Sequence, residues 1–124
     1  MAATVLVVDD DPATRELATG LIGTRGHRTI VAGDGAEAID QARANNPDLI
    51  LLDLGLPDRD GLDVCSDLRE FTDVPILLLT GRADAEARDA GLERGATGFM
   101  TKPFTPKTLI QEVGELLDGA PAHA

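Results

Sequence analysis

The chain has 124 residues, with 11 Lys plus Arg against 22 Asp plus Glu and a formal charge of −11, which fits one ordinary domain and opposes direct contact with phosphate backbones. Hydrophobic residues make up 43% and charged residues 27%, a globular and not a disordered composition; three Phe with no Tyr or Trp offer no base-stacking platform. No apolar run reaches the length of a membrane span, no secretory signal precedes the first apolar segment, and the lone Cys65 allows neither an internal disulfide nor a thiolate metal site, so a cytoplasmic protein is expected.

In chain order, residues 5–8 are continuously apolar, as in a strand covered on both faces of a parallel sheet. Asp11-Pro12 then sets an N-cap before a proline at the first helical position. Gly26 is expected to stop this helix, whose second half Gly20 and Gly23 weaken. A weaker strand follows at 29–32, and Asp34 with Glu37 forms a capping box for the second helix. Residues 49–52 repeat the continuous apolar pattern. The next helix spans 62–71, where Cys65 has apolar neighbours at helical spacing and reads as core. A fourth strand at 76–79 leads to a helix near 85–94. A weak fifth strand at 98–101 precedes a last helix, 106–117, which Thr105-Pro106 starts by the same device as the first. Strands joined by helices predict an α/β fold, a doubly wound parallel sheet with right-handed crossovers and helices on both faces. Residues 1–118 form the domain, and 119–124 a flexible tail or the start of a linker. His27 and His123 have no ligand cluster around them.

In open α/β sheets ligands bind beyond the carboxyl ends of the strands. The first strand runs into Asp9, Asp10 and Asp11, the third ends in Asp53, the fourth in Thr80-Gly81 and the fifth in Lys102-Pro103. Clustered carboxylates raise one another's pKa unless a cation neutralises them. Oxygen ligands with positions left for water suit Mg²⁺ better than zinc. Such a metal, with a lysine and a hydroxyl, stabilises charge on a transferring phosphoryl group. One carboxylate can then act as nucleophile and become an acyl phosphate. Taken singly, Asp11 is a helix cap, Asp53 a turn residue, Thr80 a cap and Lys102 a solvated strand end. All in this order on these strand ends, they read as a site.

The motifs that carry this pattern are Val5-Leu-Val-Val-Asp9-Asp10-Asp11-Pro12, Asp48-Leu-Ile-Leu-Leu-Asp53-Leu-Gly55-Leu-Pro57 with Asp60-Gly61, Pro75-Ile-Leu-Leu-Leu-Thr80-Gly81, and Gly95-Ala96 with Lys102-Pro103-Phe104. Together they resemble the receiver domain of bacterial two-component response regulators, from about Thr4 to Leu117. The resemblance implies a flavodoxin-like receiver fold with five helices and strand order 2-1-3-4-5. It implies that Asp53 is the phosphoacceptor. Asp10 and Asp53 would ligate Mg²⁺, with Asp9 acting through a bound water and the Gly55 backbone carbonyl as a further ligand. Lys102 would pair with the phosphoryl group across a cis Lys102-Pro103 bond, Thr80 would report its arrival, and Phe99 would change rotamer. Gly55 and Arg82 would tune the phosphorylated lifetime.

The implied donor is a sensor histidine kinase or a histidine phosphotransfer protein. The implied receiver of the signal is a downstream protein or an attached output domain, reached through the fourth helix, fifth strand and fifth helix. No direct nucleic acid contact by this chain and no membrane are expected, and the state is a monomer or a weak phosphorylation-dependent dimer. Thr97 and Gly98 stand where an acidic pair is common in receivers attached to winged-helix DNA-binding domains, and Glu112 near a position often basic, which argues against their usual salt-bridged dimer. The molecule would be a signalling phosphoacceptor that assists its own phosphorylation and dephosphorylation, not an enzyme. The alternative is a receiver cut from a longer regulator with a DNA-binding or enzymatic output. A haloacid-dehalogenase-like phosphatase is disfavoured because Leu54-Gly55 follow Asp53 where that family places a second acid. A flavin or nucleotide carrier is disfavoured because no Gly-rich loop follows the first strand.

Overall fold

A computed structural model describes residues 2–81 and 85–118. The elements are β1 (Thr4–Val8), α1 (Pro12–Gly23), β2 (Arg28–Ala32), α2 (Gly35–Asn45), β3 (Leu49–Asp53), α3 (Gly61–Arg69), β4 (Ile76–Thr80), α4 (Ala85–Glu93), β5 (Gly98–Thr101) and α5 (Pro106–Leu117). All neighbouring strands are parallel, in the order β2-β1-β3-β4-β5. This is the α/β fold that the sequence patterns predict and the strand order that the resemblance implies. The expected tail at 119–124, with His123, lies outside the described residues.

The continuous apolar runs are explained by burial on both faces. Side chains alternate across a strand, so Leu6, Val8, Ile50, Leu52, Ile76 and Leu78 pack on one face with Ala38 and Ala42 of α2 and Val64, Cys65 and Leu68 of α3. Val5, Val7, Leu49, Leu51, Leu77 and Leu79 point the other way, against Ala18 and Ile22 of α1 and Leu109 and Val113 of α5. β2 lies at an edge and leaves Arg28 and Val31 exposed, which is why its pattern is weaker in the sequence.

Several boundaries differ from the sequence reading. β3 and β4 each extend one residue, to Asp53 and Thr80, because Leu54 N donates to Leu79 O and Lys102 N to Thr80 O. The ladder therefore runs to the site itself. α1 ends at Gly23, three residues before the expected stop; Gly26, at φ +84°, makes the turn that follows. α3 ends at Arg69 rather than 71, with Glu70 as its C-cap. The capping box at α2 is displaced by one residue. Asp34 Oδ1 accepts from Glu37 N at 2.8 Å, but Glu37 Oε1 accepts from Gly33 N and not from Asp34 N.

Cys65 is fully buried and its thiol lies 3.5 Å from Arg94 O; burial pushes its pKa up, as suits a core residue. His27 is structural, its Nδ1 accepting from Ala3 N at 3.1 Å. Among the described residues no helix is long and apolar enough to cross a membrane.

Candidate functional site

The carboxyl ends of β1, β3, β4 and β5 meet at one rim of the sheet. Asp9 and Asp10 follow β1, of which Asp9 is fully buried and Asp10 exposed. Asp53 ends β3 with 4% of its surface exposed, and Thr80 ends β4 with 5%. One carboxylate oxygen each of Asp9, Asp10 and Asp53 lies within 4.8 Å of the others. Asp11 turns away. It accepts from Thr14 Oγ1 at 2.8 Å and Ala13 N at 3.1 Å as the α1 cap, and these donors hold its carboxyl below the usual range.

Lys102 offsets part of the charge of the buried pair, Asp9 and Asp53. Its Nζ donates to Asp9 Oδ2 at 3.0 Å and stands 3.4 Å from Asp53 Oδ2. The Lys102-Pro103 bond is cis, as the resemblance implies. Burial works against the ammonium, but the hydrogen bond to Asp9 and the charges of Asp53 and Asp9 outweigh it and raise the Lys102 pKa. Desolvation pushes the Asp53 carboxyl up, and the Asp9 charge adds to this against the opposing Gly55 amide and Lys102. Asp9 is held on every side. Its Oδ1 accepts from Asp11 N at 2.9 Å, and its carbonyl accepts from Arg15 Nη1 at 2.8 Å.

Gly55 N donates to Asp53 Oδ1 at 3.1 Å. A Cβ on Gly55 would lie 3.9 Å from that same oxygen, so a side chain at 55 would stand beside the carboxylate. Asp10, Asp53, Gly55, Thr80 and Lys102 line one groove, which continues between the β3–α3 loop and α4 past Leu56, Arg59 and Glu86. Phe99 is half-buried on β5 and lies elsewhere, in a depression with Arg88 and Leu92 of α4 and Glu112 of α5. Arg82 falls outside the described residues.

A cluster of buried acids capped by one ammonium at the carboxyl rim of a 2-1-3-4-5 sheet restricts the family sharply. The response regulator receiver domain matches residues 5–114. This chain is a receiver domain of two-component response regulators. It is 45% identical over 113 residues to the DNA-binding response regulator MtrA of Mycolicibacterium smegmatis, covering 91% of this chain and 50% of that protein. This receiver thus spans about half the length of the curated relatives it matches. Among solved structures, the chemotaxis response regulator CheY4 of Vibrio cholerae superposes with a TM-score of 0.85 at 31% identity, covering 94% of this chain and 99% of that one. NtrX from Brucella abortus does so at 0.90 and 30%, covering 98% of this receiver but 28% of NtrX.

Reading the sequence brought together every described site residue except Phe99, which does not line the acidic groove. Two residues beside the site escaped it, Arg15, which bonds the Asp9 carbonyl, and Asp58, which lines the same groove. Asp58 Oδ1 accepts from Gly35 N at 2.7 Å and Oδ2 from Ala36 N at 3.1 Å, and these amides hold its carboxyl below the usual range. Arg15 turns back to the loop just before its own helix, and Asp58 reaches across 23 residues to the start of another helix; neither contact leaves a motif in the sequence.

Proposed function

We propose that this receiver is a Mg²⁺-dependent phosphorylation switch with Asp53 as the acceptor. The observation that carries this reading is the Lys102 ammonium, bonded to Asp9 and 3.4 Å from Asp53. It fixes a cation beside a nearly buried nucleophile. A carboxylate oxygen of Asp53 attacks the phosphorus of a phosphohistidine, the new O–P bond forms as the P–N bond breaks, and the imidazole leaves with the N–P electron pair. Lys102 Nζ balances the charge that gathers on the phosphoryl oxygens, and Thr80 at the adjacent strand end donates its hydroxyl to them.

The donor set suits a hard divalent cation. Three carboxylates within reach of one point offer only oxygen, and the exposed Asp10 leaves room for water. Asp10, Asp53 and the Gly55 carbonyl would hold Mg²⁺, with Asp9 acting through water; the ion would offset the acidic charge and polarise the phosphoryl oxygens. Thr80 and Phe99 form the switch, and Gly55 and Arg82 set how long the acyl phosphate survives. This receiver is a cytoplasmic signalling acceptor and not an enzyme with a separate substrate. Its donor is a sensor histidine kinase or a histidine phosphotransfer protein. Its output runs through α4, β5 and α5 to a downstream protein or an attached domain, and it works as a monomer or a weak phosphorylation-dependent dimer. A DNA-binding output is favoured by the name and length of MtrA. The receiver unit is 1–118, with 119–124 a flexible tail or the start of a linker.

Acetyl phosphate with Mg²⁺ should add one hydroxylamine-labile phosphoryl group, read by intact mass. Asp53→Asn should abolish the gain, because an amide cannot form the acyl phosphate, and Asp10→Asn should weaken Mg²⁺ binding sharply. Full phosphorylation of the Asp53→Asn protein would defeat the assignment.

A further inference from the structure

The loop between β3 and α3 is tied to the start of α2, the helix that precedes β3. Asp58, in mid-loop, spans the first two amides of α2, with Oδ1 on Gly35 N at 2.7 Å and Oδ2 on Ala36 N at 3.1 Å. The next amide, Glu37 N, is taken by Asp34 at 2.8 Å. The start of α2 is therefore capped from two loops. Asp34 belongs to the helix's own lead-in, whereas Asp58 comes from the loop that leaves the phosphoacceptor. A carboxylate shared between two adjacent donors fixes both position and orientation.

The rest of the loop shows what this tie controls. At its start Gly55 N donates to Asp53 Oδ1 at 3.1 Å, and at its end Gly61 N donates to Leu54 O at 3.2 Å. The close approaches require glycine. A Cβ on Gly61 would lie 2.5 Å from Leu54 Cα, and one on Gly35 2.7 Å from Val64 Cγ2. Gly55 itself has no side chain with which to hold its carbonyl. Asp58, three residues on, supplies the polar anchor on that side of it.

We infer that Asp58 is a positioning residue for the metal side of the acceptor site, clamping the β3–α3 loop to the N-terminus of α2 so that the Gly55 carbonyl is held in place. The inference rests on the reading of Gly55 as a Mg²⁺ ligand. Groups that orient metal ligands commonly contribute tenfold or more to metal affinity.

The test is a calorimetric Mg²⁺ titration of the full 124-residue chain and its variants, with amide NMR spectra of the metal-free proteins. Asp58→Ala should weaken Mg²⁺ binding about tenfold and move the Gly55 amide resonance. Asp34→Ala removes a cap from the same helix without touching this loop, and should hold Mg²⁺ affinity within about twofold of wild type, below the effect of an orienting partner. Should the alanine variant be unfolded, Asp58→Asn, which keeps one acceptor oxygen, gives the same readouts: weakened binding supports the clamp and wild-type affinity overturns it. Equal losses in Asp58→Ala and Asp34→Ala would also overturn it, since both would then act through α2 alone. A wild-type chain that bound no Mg²⁺ would instead sink the metal reading, and this inference with it.

Discussion

Lys102 and Asp9 are 93 residues apart in sequence and joined by a 3.0 Å hydrogen bond in the fold. Asp9 is fully buried and the Lys102 side chain only 26% exposed, so the pair links the ends of β1 and β5 through a region with little water. Breaking such a pair from one side strands a charge, whereas removing both partners does not.

Lys102→Met should therefore destabilise the metal-free protein by about 2 kcal/mol, less than a fully buried pair because part of the lysine is solvated. Adding Asp9→Asn should recover most of that loss. Urea denaturation of the two single variants and the double variant measures the coupling, and simple additivity would show that the pair is not energetically linked.

Glycines inside helices divide by what surrounds them. A Cβ on Gly91 of α4 would lie 2.4 Å from Leu78 Cδ1, while Gly20 of α1 and Gly114 of α5 have nothing within 4 Å. Gly20→Ala and Gly114→Ala should each stabilise by about 0.5–1 kcal/mol through helix propensity. Gly91→Ala should destabilise by about 1–3 kcal/mol, since the fully buried Leu78 side chain must shift within a packed core. Thermal melts of the three variants give the signs directly. A stabilising Gly91→Ala would mean that α4 is not packed this closely.

Acid should remove the contribution of two capping carboxylates. Thr14 and Ala13 lower the pKa of Asp11, and Gly35 and Ala36 lower that of Asp58, both from 3.8. The folded chain therefore binds fewer protons than the unfolded chain as pH falls through that value. Their stabilisation is full above it and is lost as pH drops through the folded pKa values. An Asp11→Ala/Asp58→Ala protein should melt below wild type at pH 7, with the gap closing in acid. A gap that does not change with pH would contradict this origin.

The coupling of acceptor to partner face is open to NMR. With no Trp or Tyr in the chain, fluorescence cannot follow it. Beryllofluoride, a stable phosphoryl mimic, should shift Thr80, Phe99, α4 and α5 together, because charge arriving at Asp53 draws on the end of β4, whose Leu78 pairs with Phe99 in the sheet. Phe lacks the polar handle that keeps a Tyr ring partly exposed. An active-like conformer should therefore be populated before phosphorylation, visible as exchange broadening at Phe99. Shifts confined to the acidic groove would separate the acceptor from this output route.

The sequence by itself determined the alternation of five strands and five helices, the caps at Asp11, Asp34 and Thr105, and which residues end the strands. These depend on short-range patterns: apolar runs for strands buried on both faces, and a side-chain oxygen preceding each helix. Because parallel strands in this fold bind at their carboxyl ends, Asp9, Asp10, Asp53, Thr80 and Lys102 could be grouped from position alone. Only the tertiary structure decided how they are held. The pairing of Lys102 with Asp9 and the Asp58 clamp on α2 join distant segments with no pattern in common, while the Arg15 bond to the Asp9 carbonyl and the shift of the Glu37 cap to Gly33 are local details of loop geometry. The two distant contacts satisfy a buried charge and helix-end amides only when loops far apart in the chain meet, so no local window of sequence contains both partners.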